Sequence, residues 1–143
     1  MARVTTYLNF QGQAEEAFNF YRSVFGTDYV GPILRMADMH PNGGADLPEE
    51  ERGMIMHAEV EILAGHVLMA TDMLTSMGHE VKVGNNTTIN LEPGSREEVD
   101  RLYAELSEGG GEANPPMDVP WGYWGVCLDR FGIRWMFNHM NEA

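Results

Sequence analysis

The chain has 143 residues, 43% of them hydrophobic and 22% charged, which supports a globular fold with a real core and excludes a disordered one. Nine Lys and Arg against 22 Asp and Glu leave a formal net charge of −13. That argues against nucleic acid or an anionic membrane as partner, because both need clustered basic residues. No apolar run approaches the ~20 residues of a membrane span, and residues 1–5 lack the apolar core of a signal peptide. A cytoplasmic protein is expected. Cys127 is the only cysteine, so no internal disulfide forms, and its surroundings predict a buried small hydrophobe.

In chain order, residues 5–10 read as a strand, with Thr6, Leu8 and Phe10 on one face and Thr5, Tyr7 and Asn9 on the other. A helix is predicted over 13–25. Ala14, Ala17, Phe18, Tyr21, Val24 and Phe25 fall at helical spacing, Glu15 and Glu16 favour the positive end of the dipole, and Gly26 stops it. A second strand is expected over 29–36. Residues 37–51, with Pro41, Asn42, Gly43, Gly44 and Pro48, are a loop by composition, either functional or a solvated excursion. Over 54–62, Met54, Met56, Ala58, Val60 and Ile62 alternate with Ile55, His57, Glu59 and Glu61. Ala64-Gly65 then turns the chain into a fourth strand over 67–71.

After a join at 72–85 the order begins again. Thr87, Ile89 and Leu91 alternate with Asn86, Thr88 and Asn90. Ser95 with Glu98 three residues on forms a capping box ahead of a helix carrying Val99, Leu102, Tyr103 and Leu106. Gly109-Gly110-Gly111 closes it, and 112–118 is a weak edge strand broken by Pro115-Pro116. Residues 121–139 form a hairpin about Asp129-Arg130-Phe131-Gly132, in which Ile133, Trp135 and Phe137 alternate with Arg134, Met136 and Asn138. The elements thus repeat as two βαβββ modules, about 3–72 and 85–140, in a single α+β domain spanning 1–143. They are expected to form a curved mixed sheet of about eight strands with helices on its convex side and a cleft on the other.

The Trp121-Gly122 start, the Asp129-x-Phe131-Gly132 turn and Trp135 resemble the last hairpin of a vicinal oxygen chelate protein, the glyoxalase/bleomycin-resistance/dioxygenase superfamily. Tyr7-Leu8-Asn9-Phe10, Glu15-Glu16-Ala17, Phe20-Tyr21 and Met56-His57-Ala58-Glu59 look more narrowly like its PhnB-like branch. The resemblance covers nearly the whole chain. It implies four strand positions for divalent-metal ligands, which fall by strand phase on Thr5 or Thr6, Met69, Asn86 or Thr87, and Met136. None is His or a carboxylate, so no metal is expected there, and glyoxalase or extradiol dioxygenase chemistry is disfavoured. His40, His66, His79 and His139 have no partner at ligand spacing.

No Gly-x-Gly-x-x-Gly follows a strand, and Gly109-Gly110-Gly111 follows a helix rather than opening one. No nucleotide or S-adenosylmethionine cofactor is therefore expected, and a serine nucleophile elbow is missing. The leading expectation is a metal-free small-molecule binding protein whose cleft is lined by Tyr7, Asn9, His57, Glu59, Asn90, Trp121 and Arg134, with Tyr123 and Trp124 as further aromatics. The alternatives are a glyoxalase-like lyase or isomerase with His57 or Glu59 as general base, and a dimeric protein with no ligand of its own. A homodimer is expected in each case. An open sheet face exposes much apolar surface, and the resemblance implies modules paired across two chains, in some relatives by swapping.

Overall fold

Alternation and helical spacing produce most of the elements they predict. The computed structural model describes residues 1–142 and gives β1 (Thr6–Phe10), α1 (Ala14–Phe25), β2 (Leu34–Arg35), α2 (Met36–Met39), α3 (Glu49–Arg52), β3 (Ile55–Glu61) and β4 (Val67–Asp72). Then come β5 (Ile89–Leu91), α4 (Arg96–Ser107), β6 (Ala113–Val119), β7 (Gly122–Leu128) and β8 (Arg134–Met140). The chain divides into two compact units, Met1–Lys82 and the part from Val83 onward.

The eight strands hydrogen-bond as two four-stranded sheets, ordered β1-β4-β3-β2 and β5-β8-β7-β6. In both, the outer pair (β1 with β4, β5 with β8) is parallel and the remaining pairs are antiparallel. This is the repeated βαβββ order, one sheet per module.

In the first unit α1 packs on β3 and β4. Phe10, Phe18, Tyr21, Val60 and Leu68 are buried there. The α1 N-terminus has no side-chain cap of its own, but Asp72 at the end of β4 accepts the Ala14 N–H at 2.9 Å and the Ile55 N–H at 2.9 Å. One buried carboxylate thus ties helix, β3 and β4 together. In the second unit α4 packs on β6, β7 and β8 over Val99, Leu102, Leu106, Trp135 and Phe137, all fully buried. Ser95 Oγ accepts the Glu98 N–H at 3.1 Å as the predicted N-cap.

Three expectations are corrected. The strand expected over 29–36 shrinks to Leu34–Arg35 plus one bridge from Tyr29 to Val60. Gly31 takes φ +75°, Pro32 offers no N–H, and Met36 already begins α2. Ile55 is not on the solvent side with His57: it is 1% exposed and in the core. A register shift opposite Leu34 and Arg35 inserts a residue at Met56, which flips the phase at the strand's start. Residues 37–51 are not a free excursion either. They fold into α2, a short 3₁₀ turn at Pro41–Gly44 and the start of α3, and bury Met36 and Leu47 against Leu74. Arg52 holds them by donating to the carbonyls of Gly44, Ala45 and Leu47.

Candidate functional site

Each sheet has a helix-covered face and an open one, and strand phase decides which residues reach the open side. In the first unit Thr6, Leu8 and Phe10 turn to the helix side, leaving Tyr7 and Asn9 opposite. The register places Tyr7 beside Met69 and Met69 beside Glu59, with His57 one pleat further along β3. These residues form a hydrogen-bonded chain. The Tyr7 hydroxyl lies 3.2 Å from His57 Nδ1, and His57 Nε2 lies 3.1 Å from Glu59 Oε2. Arg3 approaches the other Glu59 oxygen at 3.6 Å.

A carboxylate can only accept, so in the neutral ring Nε2 carries the proton toward Glu59, and Nδ1 accepts from the Tyr7 O–H. Burial first, and then the charge of Glu59, raise the Tyr7 phenol above its ordinary range, so Tyr7 stays a donor at neutral pH. Asn9 is exposed on the same face.

In the second unit Asn90, Met136 and Val126 form the equivalent row. Asn138, two residues past Met136, donates from Nδ2 to Asn90 Oδ1 at 3.0 Å and accepts from Trp121 Nε1 at 3.2 Å. Asn90 in turn donates to Glu92 at 3.4 Å. Arg134, on the same phase, donates from Nε to the Gly84 carbonyl at 2.8 Å and pairs with Glu112 at 2.5 Å. Beside it is a cavity of about 320 Å³ lined by Asn85, Thr88, Asn114 and Val126 among others.

Of the seven residues expected to line a cleft, Tyr7, His57 and Glu59 are thus joined in one chain, and Asn90 and Trp121 meet through Asn138. Asn9 and Arg134 stand outside these chains. Arg3, Glu112 and Asn138 were not singled out from sequence, although Arg3 shares the odd-numbered phase of Tyr7 and Asn138 the even-numbered phase of Arg134. Tyr123, expected among the cleft aromatics, turns the other way: its hydroxyl donates to Asp100 on α4 at 2.6 Å, and Arg96 lies over its ring at 4.0 Å.

The expected metal positions can be tested against this geometry. Met69 and Met136 occupy the central-strand place of the two equivalent rows, and Thr5 Oγ1 is spent on Met69 Sδ at 3.6 Å. Thioethers and a hydroxyl do not suit a hard or borderline divalent cation, so this donor set does not fit the superfamily's metal. Among the described residues no three His, Cys, Asp or Glu side chains converge as a metal cage. His66 bonds Thr6 Oγ1 at 2.9 Å and His139 Nδ1 bonds the Pro93 carbonyl at 2.9 Å, both structural roles. Among the described residues no helix is long and apolar enough to cross a membrane.

Known proteins place this architecture. Over residues 2–137 the sequence matches the family described as 3-demethylubiquinone-9 3-methyltransferase. Protein PA1353 from Pseudomonas aeruginosa is 28% identical, with a TM-score of 0.81 over 99% of this chain and 100% of that one. A PhnB protein from Bacillus cereus, itself named for the same methyltransferase, is 26% identical, with a TM-score of 0.77 over 96% and 99%. A glyoxylase/bleomycin resistance protein/dioxygenase domain from Frankia sp. EAN1pec shares the fold alone, at 12% identity and a TM-score of 0.65 over 99% of each chain. No curated protein matches the chain. The chain therefore belongs to the PhnB-like family named for 3-demethylubiquinone-9 3-methyltransferase, and its two βαβββ modules share the fold of the glyoxylase/bleomycin resistance protein/dioxygenase domain.

Proposed function

We propose that this protein binds a small molecule on the open face of its sheets without a divalent metal. The observation that carries the reading is the Tyr7–His57–Glu59 chain, an ordered set of polar groups on the partly exposed face of the sheet, opposite the buried residues that pack on α1. Aromatic and polar groups converging in this way fix a ligand's orientation. The Asn90–Asn138–Trp121 chain on the second sheet supports the same reading.

The methyltransferase in the family's name would use S-adenosylmethionine, and the residues present do not fit it. Such a cofactor is gripped where a glycine-rich turn opens a helix after a strand. Here the turn from β1 to α1 reads Gln11-Gly12-Gln13, and the Ala14 N–H at the helix start is taken by Asp72.

The test is a thermal-shift screen of small carbonyl and aromatic compounds, followed by Tyr7→Phe and His57→Ala. A compound that raises the melting temperature saturably, with affinity falling about tenfold in either variant, supports the site. Hits indifferent to both variants place the ligand elsewhere.

A second reading is favoured by the flanking of His57. A ring whose Nδ1 can receive a proton relayed through the Tyr7 hydroxyl, while Glu59 steadies the imidazolium through Nε2, is built as a general base. For any ligand found, hydrogen exchange in deuterated water at carbon next to its carbonyl, lost in Glu59→Gln with binding retained, would establish catalysis. We also propose a cytoplasmic homodimer. The lone free, buried Cys127 suits a reducing compartment, and Tyr7 and Trp121, both exposed, offer apolar area for a second copy.

A further inference from the structure

The first unit holds a cavity of about 360 Å³, away from the Tyr7–His57–Glu59 chain. It lies where α3 meets the segment after β4, and is lined by Gln11, Glu50, Glu51, Met54, Met73 and Thr75. Its distinguishing member is Glu51. The residue as a whole is 4% exposed, and its Oε1 accepts from the Ser76 hydroxyl at 2.8 Å. Among the described residues it meets no other side-chain donor and no cation. The carboxylate lines the cavity and is not a sealed, unsatisfied group, so its second oxygen keeps contact with the cavity's solvent and a cation that enters can pair with it there.

The rest of the lining says what kind of cation. Gln11 is spent within the wall: its amide donates to the carbonyls of Met73 and His79 and to Thr75 Oγ1, and its oxygen accepts the Val81 N–H. It therefore shapes the cavity rather than competing for the carboxylate. Met54 and Met73 supply adaptable apolar walls. The space is about ten times the ~30 Å³ share of one water, far more than a bare ion fills. No basic residue lines it, and the net charge of −13 favours approach of a cation.

The geometry points to a binding site for a small organic ammonium: a primary amine, protonated at neutral pH, whose N–H groups meet Glu51 and whose apolar body packs between Met54 and Met73. The site is separate from the open-face ligand site and does not depend on it.

The test uses the full chain with carbon-13 methyl-labelled methionine, titrated at neutral pH with phenethylammonium and, separately, with its neutral counterpart 2-phenylethanol. Phenethylammonium is expected to shift the Met54 and Met73 methyl signals saturably, with a dissociation constant near ~1 mM, while Met136 stays still. Glu51→Gln keeps an acceptor for Ser76 and is expected to weaken phenethylammonium at least about tenfold. The proposal is overturned if the alcohol binds within about twofold of the amine, a comparison that needs only the wild-type chain. It is equally overturned if a folded Glu51→Gln binds unchanged, if neither methyl moves, or if calcium chloride gives the same shifts at lower concentration than the amine.

Discussion

Asp129 is 2% exposed at the turn between β7 and β8, and its two oxygens are saturated. Oδ1 accepts the N–H groups of Phe131 at 2.9 Å and Ile133 at 3.0 Å, and Oδ2 accepts Trp135 Nε1 at 2.8 Å. An asparagine in either orientation turns its amide donors toward at least one of these N–H groups. Asp129→Asn is therefore expected to cost about 2–3 kcal/mol, read as a lower urea midpoint with unchanged slope. Its neighbour Cys127, 3% exposed, has its thiol pushed up to about 12, first by burial and then by the Asp129 charge. The folded state thus keeps the thiol protonated where an unfolded chain ionises it. Native protein at mildly alkaline pH should resist a chromogenic disulfide reagent and react fully once denatured. The sign follows for stability too: because the unfolded thiol ionises first, raising the pH from about 9 toward 12 favours unfolding.

Among the elements, the β7–β8 hairpin was the most legible in sequence, and its glycines show why the spelling is strict. A Cβ on Gly122 would sit 2.1 Å from the His139 carbonyl oxygen, a backbone atom that cannot swing aside. On Gly132, with φ +88°, it would meet Val83 at 2.8 Å. Gly122→Ala should cost about 1–3 kcal/mol and loosen the paired ends of the hairpin, seen as faster amide exchange at Tyr123 and His139. Gly94→Ala, where a Cβ meets nothing within 4 Å, is the control and should change stability by less than about 0.5 kcal/mol. Alternation likewise revealed β1, β4 and β8, and helical spacing revealed α1 and α4, because each buries one face. What stayed hidden depends on distant partners. No local pattern announces the extra residue at Met56, which only the pairing with Leu34 and Arg35 reveals. The packing of residues 37–51 rests on Leu74, well beyond any periodicity window. At the candidate site, phase put Tyr7 opposite the helix and His57 and Glu59 on a shared face. The bond from Tyr7 to His57 joins residues 50 apart, which only the fold brings together.

For the whole molecule, two features oppose each other. Four of the exposed large apolar side chains lie on or beside the sheet faces turned away from the helices. Tyr7 is 47% exposed on the first; Met117 and Met140 share the Asn138 phase on the second, and Trp121, 50% exposed, bonds Asn138 there. Burying such side chains between two copies would remove them from water and favour self-association. Against this, each chain carries a net charge of −13, so two copies repel. The proposed association is therefore expected to depend on salt. Repulsion between exposed charges is screened beyond about 8 Å at physiological ionic strength but extends to about 30 Å at 0.01 M, while apolar burial changes little. Light scattering at micromolar concentration should therefore give a mass near twice the 16.0 kDa chain at physiological salt, falling toward the single-chain value on dilution into low salt. Trp121→Ser should shift that equilibrium toward the monomer at every salt concentration, because it removes apolar area without altering charge. A mass near 16.0 kDa at physiological salt would remove the proposed dimer.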